Sequence, residues 1–575
     1  MAHFHIKTKK GRPYLYVREI ARVDGKPKVV SQIYIGSPER VASLASGTGR
    51  EGAMKLKVEE FGALWVADQI DRDVDLARII DDVIPRGDRE EGPSVGEYFL
   101  YCIWNRMCEV TSKNRLAQWY ERTAVQQIRP VAVDELTSQR YWEKWDRVSA
   151  DDLAAISRRF FERIWTLESP DSDCVLFDTT NYYTFMAGDT PSELARRGKN
   201  KEGRNNLRQV GLGLLVSRGS RLPLYYCAYP GNLHDSRQFA TVMDEMFGVV
   251  CGFDKAKERL TVIIDKGMNS DDNFAWIDEH ARIHFVTTYS TYFAQDLASI
   301  PLDEFEPADT KKNLRLLKES KQDDRTLVYR TKGEYWGKER AVVVTYNPVT
   351  ARKQSRTFDS KLDEIRQQLL AMRSRVRDRA PQWREQETIR QRYLRLCEKL
   401  HMPSDLYAIE FSQEAGSLSM SFRKEAARVL QKRVMFGKNI IITDNKDWTT
   451  SEIVEASLDR WQVEERFRLS KDDDLVAIQP LRHWTDSKIR CHFFVCVVAM
   501  TYLRRIELKL KSAGVNRTAD DVMDDMRYLH SVLLLKDGGK KAERRLEIPT
   551  KTQVEVLSAF GAAIDANGVL HSPSR

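Results

Sequence analysis

Cysteine is scarce in this sequence: 8 in 575 residues, with no pair at CxxC spacing. That excludes a disulfide framework and the paired-thiolate type of zinc site. Long apolar runs are absent too. The longest, Phe493 to Leu503, spans eleven residues, whereas a membrane-crossing helix needs about 20. The opening MAHFHIKTKKGRPYLYV is basic but no apolar run follows it, so no signal peptide is expected. Glycine (29) and proline (18) are too few for a collagen-like or low-complexity chain. Neither sign of charge dominates, since 92 Lys plus Arg against 84 Asp plus Glu leave only +8. What is left is a large soluble protein, expected in the cytoplasm with no membrane partner. At roughly 150 residues per domain its length predicts about four folding units.

Charge is nevertheless uneven. Residues 1–40 carry nine Lys/Arg against three Asp/Glu. Two β-rich runs, Tyr14 to Ile20 and Val29 to Ile35, flank an Asp24-Gly25 turn, which reads as a hairpin. Residues 1–46 are thus a basic β module: either a solvated hairpin with protective edge lysines or a surface for the DNA backbone. Gly47 to Gly52 reads as a linker. From 53 to 169 the pattern is helical, with Val58, Phe61, Leu64, Trp65 and Ile70 forming one face. Further helices are predicted at Val95–Met107, Asn114–Arg122 and Asp151–Trp165. The tryptophans at 104, 119, 142, 145 and 165 read as core.

At Cys174 the pattern turns to α/β. Strands are expected at Cys174–Phe177, ending in Asp178, and at Gln209–Val216, Leu222–Tyr229, Leu260–Ile264 and Ala281–Thr288. A helix from His234 to Phe247 stands between the third and fourth. Three strands, a helix and two strands is the order of an RNase H-like sheet. No GxGxxG follows the first strand, which excludes a dinucleotide fold. Residues 290–436 interrupt this core as an inserted α+β domain. It holds strands at Thr326–Tyr329 and Ala341–Asn347 and a basic helical region, 361–400, broken near Pro381. That region could contact DNA, or a second copy through Leu369, Leu370 and Met372. The α/β pattern resumes at Asn439–Asp444, followed by helices 450–471 and 487–511, the latter with one apolar face. The core thus spans 170–289 and 437–515, and a C-terminal helical region fills 516–575.

Asp178 and Asp265 each end a predicted buried strand. Carboxylates there are costly to bury unless compensated, and a divalent cation compensates them well; as turn caps they would need no ligand. On helix 450–471, Arg460 and Glu464 are four residues apart and Lys471 is seven further, all on one stripe. Such a stripe suits a metal-and-phosphate site, and equally a surface ladder of ion pairs. His234-Asp235-Ser236 reads as a helix cap, and Cys491, His492 and Cys496 as core. Trp448 and Trp461 flank the stripe and could stack on an extruded base or simply pack.

Arg-x3-Glu-x6-Lys resembles the Y-x2-R-x3-E-x6-K signature of bacterial insertion-sequence DDE transposases of the insertion-sequence-4-like superfamily. Phe177-Asp178-Thr179-Thr180, Ala228-Tyr229-Pro230-Gly231-Asn232 and Ile264-Asp265-Lys266-Gly267 stand in the order that family has them. The resemblance covers roughly residues 170 to 505. It implies that Asp178, Asp265 and Glu464 are the catalytic triad and bind two Mg²⁺, for which Mn²⁺ would substitute. It further implies that Arg460, Lys471 and Lys266 contact DNA, that 53–169 recognises the element's end, and that a homodimer forms on DNA. Ser457 occupies the family's tyrosine position. Glu465 is the rival of Glu464, and the Arg and Lys spacings select 464. The expected activity is cleavage at the terminal inverted repeats and joining of the 3′-hydroxyl to target DNA, in the bacterial cytoplasm and at the nucleoid when bound. A nuclease that cuts without joining, or a DNA-binding protein derived from a transposase, are the alternatives.

Overall fold

The computed structural model describes residues 2–9, 12–23, 26–37, 55–170, 173–198, 203–233, 242–246, 248, 252, 259–414, 417–536 and 541–572. Its centre is a ten-stranded mixed sheet. The main strands are β1 (Cys174–Thr184), β2 (Arg208–Ser217), β3 (Pro223–Pro230), β4 (Leu260–Ile264) and β5 (Ile283–Tyr289). After them come β6 (Leu327–Tyr335), β7 (Lys338–Tyr346) and β8 (Lys438–Thr443). In space the order is β3-β2-β1-β4-β5-β8-β7-β6, with β1, β4 and β5 mutually parallel and the rest antiparallel. This mixed sheet is compatible with an RNase H-like transposase fold. β4 is buried at every position, as a strand covered on both faces must be.

β1 does not end at Asp178. It runs on through Thr179–Thr184, pairing with β2 as far as Thr184↔Arg208, because threonine and tyrosine favour a pleated, half-buried surface. Asp178 is therefore a mid-strand residue.

Within 290–436, β6 and β7 extend the large sheet through β8. Helices α1 (Pro348–Arg377) and α2 (Gln386–Leu400) pack with the hairpin Tyr407–Glu414/Ser417–Lys424 around a second core that includes Ile365, Ile389 and Leu406. Helix α1 begins well before residue 361, since Asn347 caps it from Thr350 N and Pro348 suits the first turn. Leu369 and Met372 are buried in this core, so they are not free to form a seam with a second copy.

The helix expected at 450–471 is two, α3 (Thr450–Leu458) and α4 (Trp461–Ser470), parted at Asp459 and Arg460. The next, α5 (Asp486–Ser512), is buried at every residue from Cys491 to Ile506. An apolar face alone was expected; a helix buried all round runs through the middle of a core. Phe494 meets Phe99 and Phe160 of the N-terminal helices at 5.7 and 6.1 Å, while Phe493 meets Tyr182 of β1 at 5.7 Å. Helix α5 thereby joins the helical layer to the sheet.

The N-terminus forms a three-stranded antiparallel sheet, Ala2–Lys9, Arg12–Val23 and Lys26–Gly36. The Asp24-Gly25 turn and the linker 47–52 lie outside the described residues. Lys55–Glu60, read as helical, is a strand that pairs with His530–Lys536, which in turn pairs with Lys541–Leu546. The alternation Lys55-Leu56-Lys57-Val58 has the period of a strand. Helix begins at Gly62. Region 516–575 thus holds strands beside its helices Ala519–Arg527 and Lys551–Ala559. Trp104, Trp119 and Trp145 are fully buried, with Trp142 and Trp165 packed against the same core. Among the described residues no helix is long and apolar enough to cross a membrane.

Candidate active site

The register of β1 against β4 brings two aspartates level. Leu176 is the last residue of β1 paired with β4, opposite Ile263. One step of two residues beyond that row stand Asp178 and Asp265, and a two-residue step keeps side chains on the same face. Asp178 Oδ1 accepts from the Thr179 amide at 2.8 Å. Asp265 follows β4 and caps the turn Lys266–Met268, its Oδ2 lying 3.5 Å from the Gly267 amide. Its Oδ1 faces elsewhere and accepts from Arg460.

Arg460 sits at the junction of α3 and α4. One guanidinium nitrogen binds Asp265 and the other donates to Glu464 Oε1 at 2.9 Å. Burial works to lower the Arg460 pKa, but Asp265, Glu464 and Asp178 outweigh it and the net shift is upward. All three carboxylates therefore act on one cation.

The other side of α3 and α4 is gripped by the turn between β2 and β3. Arg218 pairs with Asp459 at 2.7 Å, the Gly219 amide donates to Gln462 Oε1 at 2.9 Å, and Arg221 pairs with Glu465 at 2.7 Å. Burial tends to raise the Glu465 pKa, while Arg221 and Arg466 lower it to a net depression. Adjacent glutamates thus face different partners: Glu464 shares Arg460 with Asp265, and Glu465 anchors the helix. Neither Arg218 nor Arg221 was singled out from the sequence; two arginines between the strands expected at Gln209–Val216 and Leu222–Tyr229 were the available signal.

Lys471 ends α4 with Nζ 5.7 Å from the Tyr182 ring centroid, and Tyr182 OH meets Ser470 Oγ at 2.5 Å. This places Lys471 beside the strand that carries Asp178. Lys266 is exposed, directly after Asp265. Ser457 is half-buried in α3. Trp461 is 47% exposed with the Arg221 guanidinium 4.9 Å from its ring, and Trp448 packs against the core. Cys491, His492 and Cys496 are buried in α5. His234, Asp235 and Ser236 lie outside the described residues. Gly231 of the Ala-Tyr-Pro-Gly-Asn run has a packing role: a Cβ there would lie 1.9 Å from the Gln209 carbonyl oxygen.

Asp178, Asp265 and Glu464 offer only carboxylate oxygens, the donors that hard divalent cations take. Among the described residues no three His, Cys, Asp or Glu side chains form a ready metal cluster. Asp265 and Glu464 converge on the Arg460 guanidinium instead.

Residues 171–502 match the family described as the transposase DDE domain. The chain belongs to this family. A transposase class follows for the protein, and the match spans every strand of the large sheet from β1 to β8 together with α1 to α4. No curated protein matches the chain. Among solved structures, the cryo-EM structure of a piggyBac transposase synaptic complex with hairpin DNA is similar at 8% identity. That likeness covers 81% of this chain and 78% of the other at a TM-score of 0.35.

Proposed function

We propose that this transposase-domain protein cleaves the ends of a bacterial mobile element and joins the freed 3′-hydroxyl to target DNA. We assign Asp178, Asp265 and Glu464 as its catalytic carboxylates. The observation that carries the reading is the level placement of Asp178 and Asp265, with Glu464 linked to Asp265 through Arg460. Three carboxylates that all bear on one guanidinium suit a reaction in which a phosphodiester's charge must be compensated.

The three carboxylates would hold two Mg²⁺, or Mn²⁺ in substitution. When bound, the ions supply Lewis acidity for activating water and for the departing oxygen. The protein's own part is positional. The β2–β3 turn fixes α4 so that Glu464 stays beside the two strands. Arg460, Lys471 and Lys266 would meet the phosphates of the element's end. Release of Arg460 from Asp265 and Glu464 on metal entry would leave its guanidinium free for DNA. The Y-R-E-K assignment, with Ser457 in place of the tyrosine, puts the chain among insertion-sequence-4-like enzymes. The catalytic core so read is 170–289 plus 437–515, with 290–436 inserted, 53–169 recognising DNA ends beside the module 1–46, and 516–575 closing the chain. Terminal inverted repeats and target DNA are the substrates, and a homodimer on DNA at the nucleoid is the working form.

The test uses purified protein on the DNA flanking its own gene. Mg²⁺-dependent breaks at defined ends with joined products, lost in Glu464→Gln, are expected. Breaks without joining would make it a nuclease. Specific end binding with no cleavage in Mg²⁺ or Mn²⁺ would make it a retained DNA-binding protein.

A further inference from the structure

A second polar site lies beyond Lys471, where the segment 473–483 faces the N-terminal helices. A cavity of about 910 Å³ opens between them. Its walls carry Arg106, Lys113, Arg115 and Arg482 against the acids Glu109 and Asp473, and Glu109 is paired with Arg122 at 3.3 Å. Lys113 is only 7% exposed. Its ammonium lies 4.2 Å from the Trp145 ring centroid and 5.5 Å from that of Trp142, and among the described residues no ion pair or hydrogen bond is found for it. Ring faces compensate a buried ammonium only in part, and burial, with Arg106 nearby, pulls the Lys113 pKa below its ordinary value, a shift that a bound anion would oppose.

The walls hold further unmet polar atoms. His483, also 7% exposed, has its Nδ1 buried without a partner, and the same is true of Gln479 Oε1 and Arg106 Nε. Unmet buried polar groups are rare in native folds and call for a partner, which at a cavity wall is either water or a ligand. The outer segment is also held in place. Ile478 N donates to Ser470 O at 2.8 Å, and Leu481 N to Tyr183 O at 3.1 Å. One wall of the cavity is thus tied to the helix of Glu464 and to the strand of Asp178. Val476 (φ 61°) and Ala477 (φ 45°) keep left-handed backbone there, which a β-branched residue adopts only when its surroundings force it.

We propose that this cavity is a phosphate site that takes a backbone phosphodiester of DNA running past the carboxylates. Lys113 supplies the buried charge, Arg482 and Arg115 gather the strand at the mouth, and the unmet Arg106 Nε adds a further donor on the wall. The choice of DNA over free phosphate rests on the transposase reading above. The cation without a counter-charge stands independently of it.

The experiment measures duplex binding by full-length protein across a salt series, using gene-flanking and scrambled DNA. The variants are Lys113→Met, which fits the aromatic surroundings without charge, and Arg482→Gln at the exposed mouth. Each is expected to weaken both duplexes by about tenfold and to lower the salt slope by about one, as loss of a phosphate contact does. Unchanged affinity and slope in a folded Lys113→Met protein would overturn the proposal. Arg482→Gln decides the matter if Lys113→Met does not fold. Inorganic phosphate is run in parallel: if it raises the melting temperature of the unaltered chain but not of Lys113→Met, while DNA binding is equal in both, the site takes free phosphate and the DNA assignment is wrong. An unaltered chain that binds DNA but never cuts it would sink the transposase reading alone, and the variant comparison could still be read.

Discussion

Arg221 holds Glu465 at 2.7 Å, away from the Arg460 guanidinium that binds Asp265. The neighbouring Glu464 shares the Arg460 guanidinium with Asp265. Two consecutive glutamates of one helix therefore have separate partners, and substitution tells them apart. Glu464→Gln should lower cleavage by at least about a thousandfold while end binding and melting temperature stay near those of the unaltered chain. Glu465→Gln should cost about 1 kcal/mol of stability, as a partly exposed ion pair does, and keep cleavage within about threefold. Denaturant titration and a cleavage assay on both proteins check this. Equal loss of cleavage in the two would mean that the helix bears no single essential acid.

Arg460 competes with any cation for Asp265 and Glu464. Removing it leaves both carboxylates to a metal ion, so Arg460→Ala should bind Mn²⁺ about tenfold more tightly without DNA, a single near-surface unit charge being worth a few kcal/mol at most. The same change should weaken DNA binding if the guanidinium passes to a phosphate. Calorimetry for the metal and anisotropy for the duplex read the two effects separately. Weaker Mn²⁺ binding would show that Arg460 supports the carboxylates and does not compete for them.

Gly231→Ala tests whether the Ala228–Asn232 run is structural. The added Cβ would collide with backbone, which cannot move aside as a flexible side-chain tip can. A loss of about 2 kcal/mol is expected, with cleavage per folded molecule unchanged. Urea melts and an activity titration check it.

Asp71 gives a pH signature. Burial raises its pKa to about 6, against the lowering effect of hydrogen bonds from Tyr502 and Leu76. A carboxyl raised on folding favours the native state at pH below 4, and that contribution is lost as pH climbs through 6. Asp71→Asn has no such loss. The stability of Asp71→Asn minus that of the unaltered chain should therefore rise by about 3 kcal/mol between pH 4 and 7. A flat difference across that range would place the Asp71 pKa near its ordinary value.

Much of the sheet was legible because its central strands carry their own signal. Val262–Ile264 and Ile440–Ile442 are unbroken apolar runs followed closely by turn residues, and local pattern suffices for them. Glu464 stood out by its spacing to Arg460 and Lys471. Other features depend on partners that no local window contains. The extension of β1 past Asp178 is set by β2, and the strand at Lys55–Glu60 by His530–Lys536. The uniform burial of α5 was hidden in the same way: its apparent polar face includes Arg505, which is buried against Glu168 at 2.6 Å.

Helix α5, which fills the space between the N-terminal helices and the sheet, comes late in the order of synthesis. Residues 95–168 leave the ribosome with the surface that Phe494 will cover still open to water. At about 5–20 residues per second, that surface waits on the order of half a minute for its partner. A chain that stops short of this helix has nothing to cover that apolar surface. Only a chain made as far as residue 512 can seat the sheet whose neighbour, α4, lets Arg460 bind both Asp265 and Glu464.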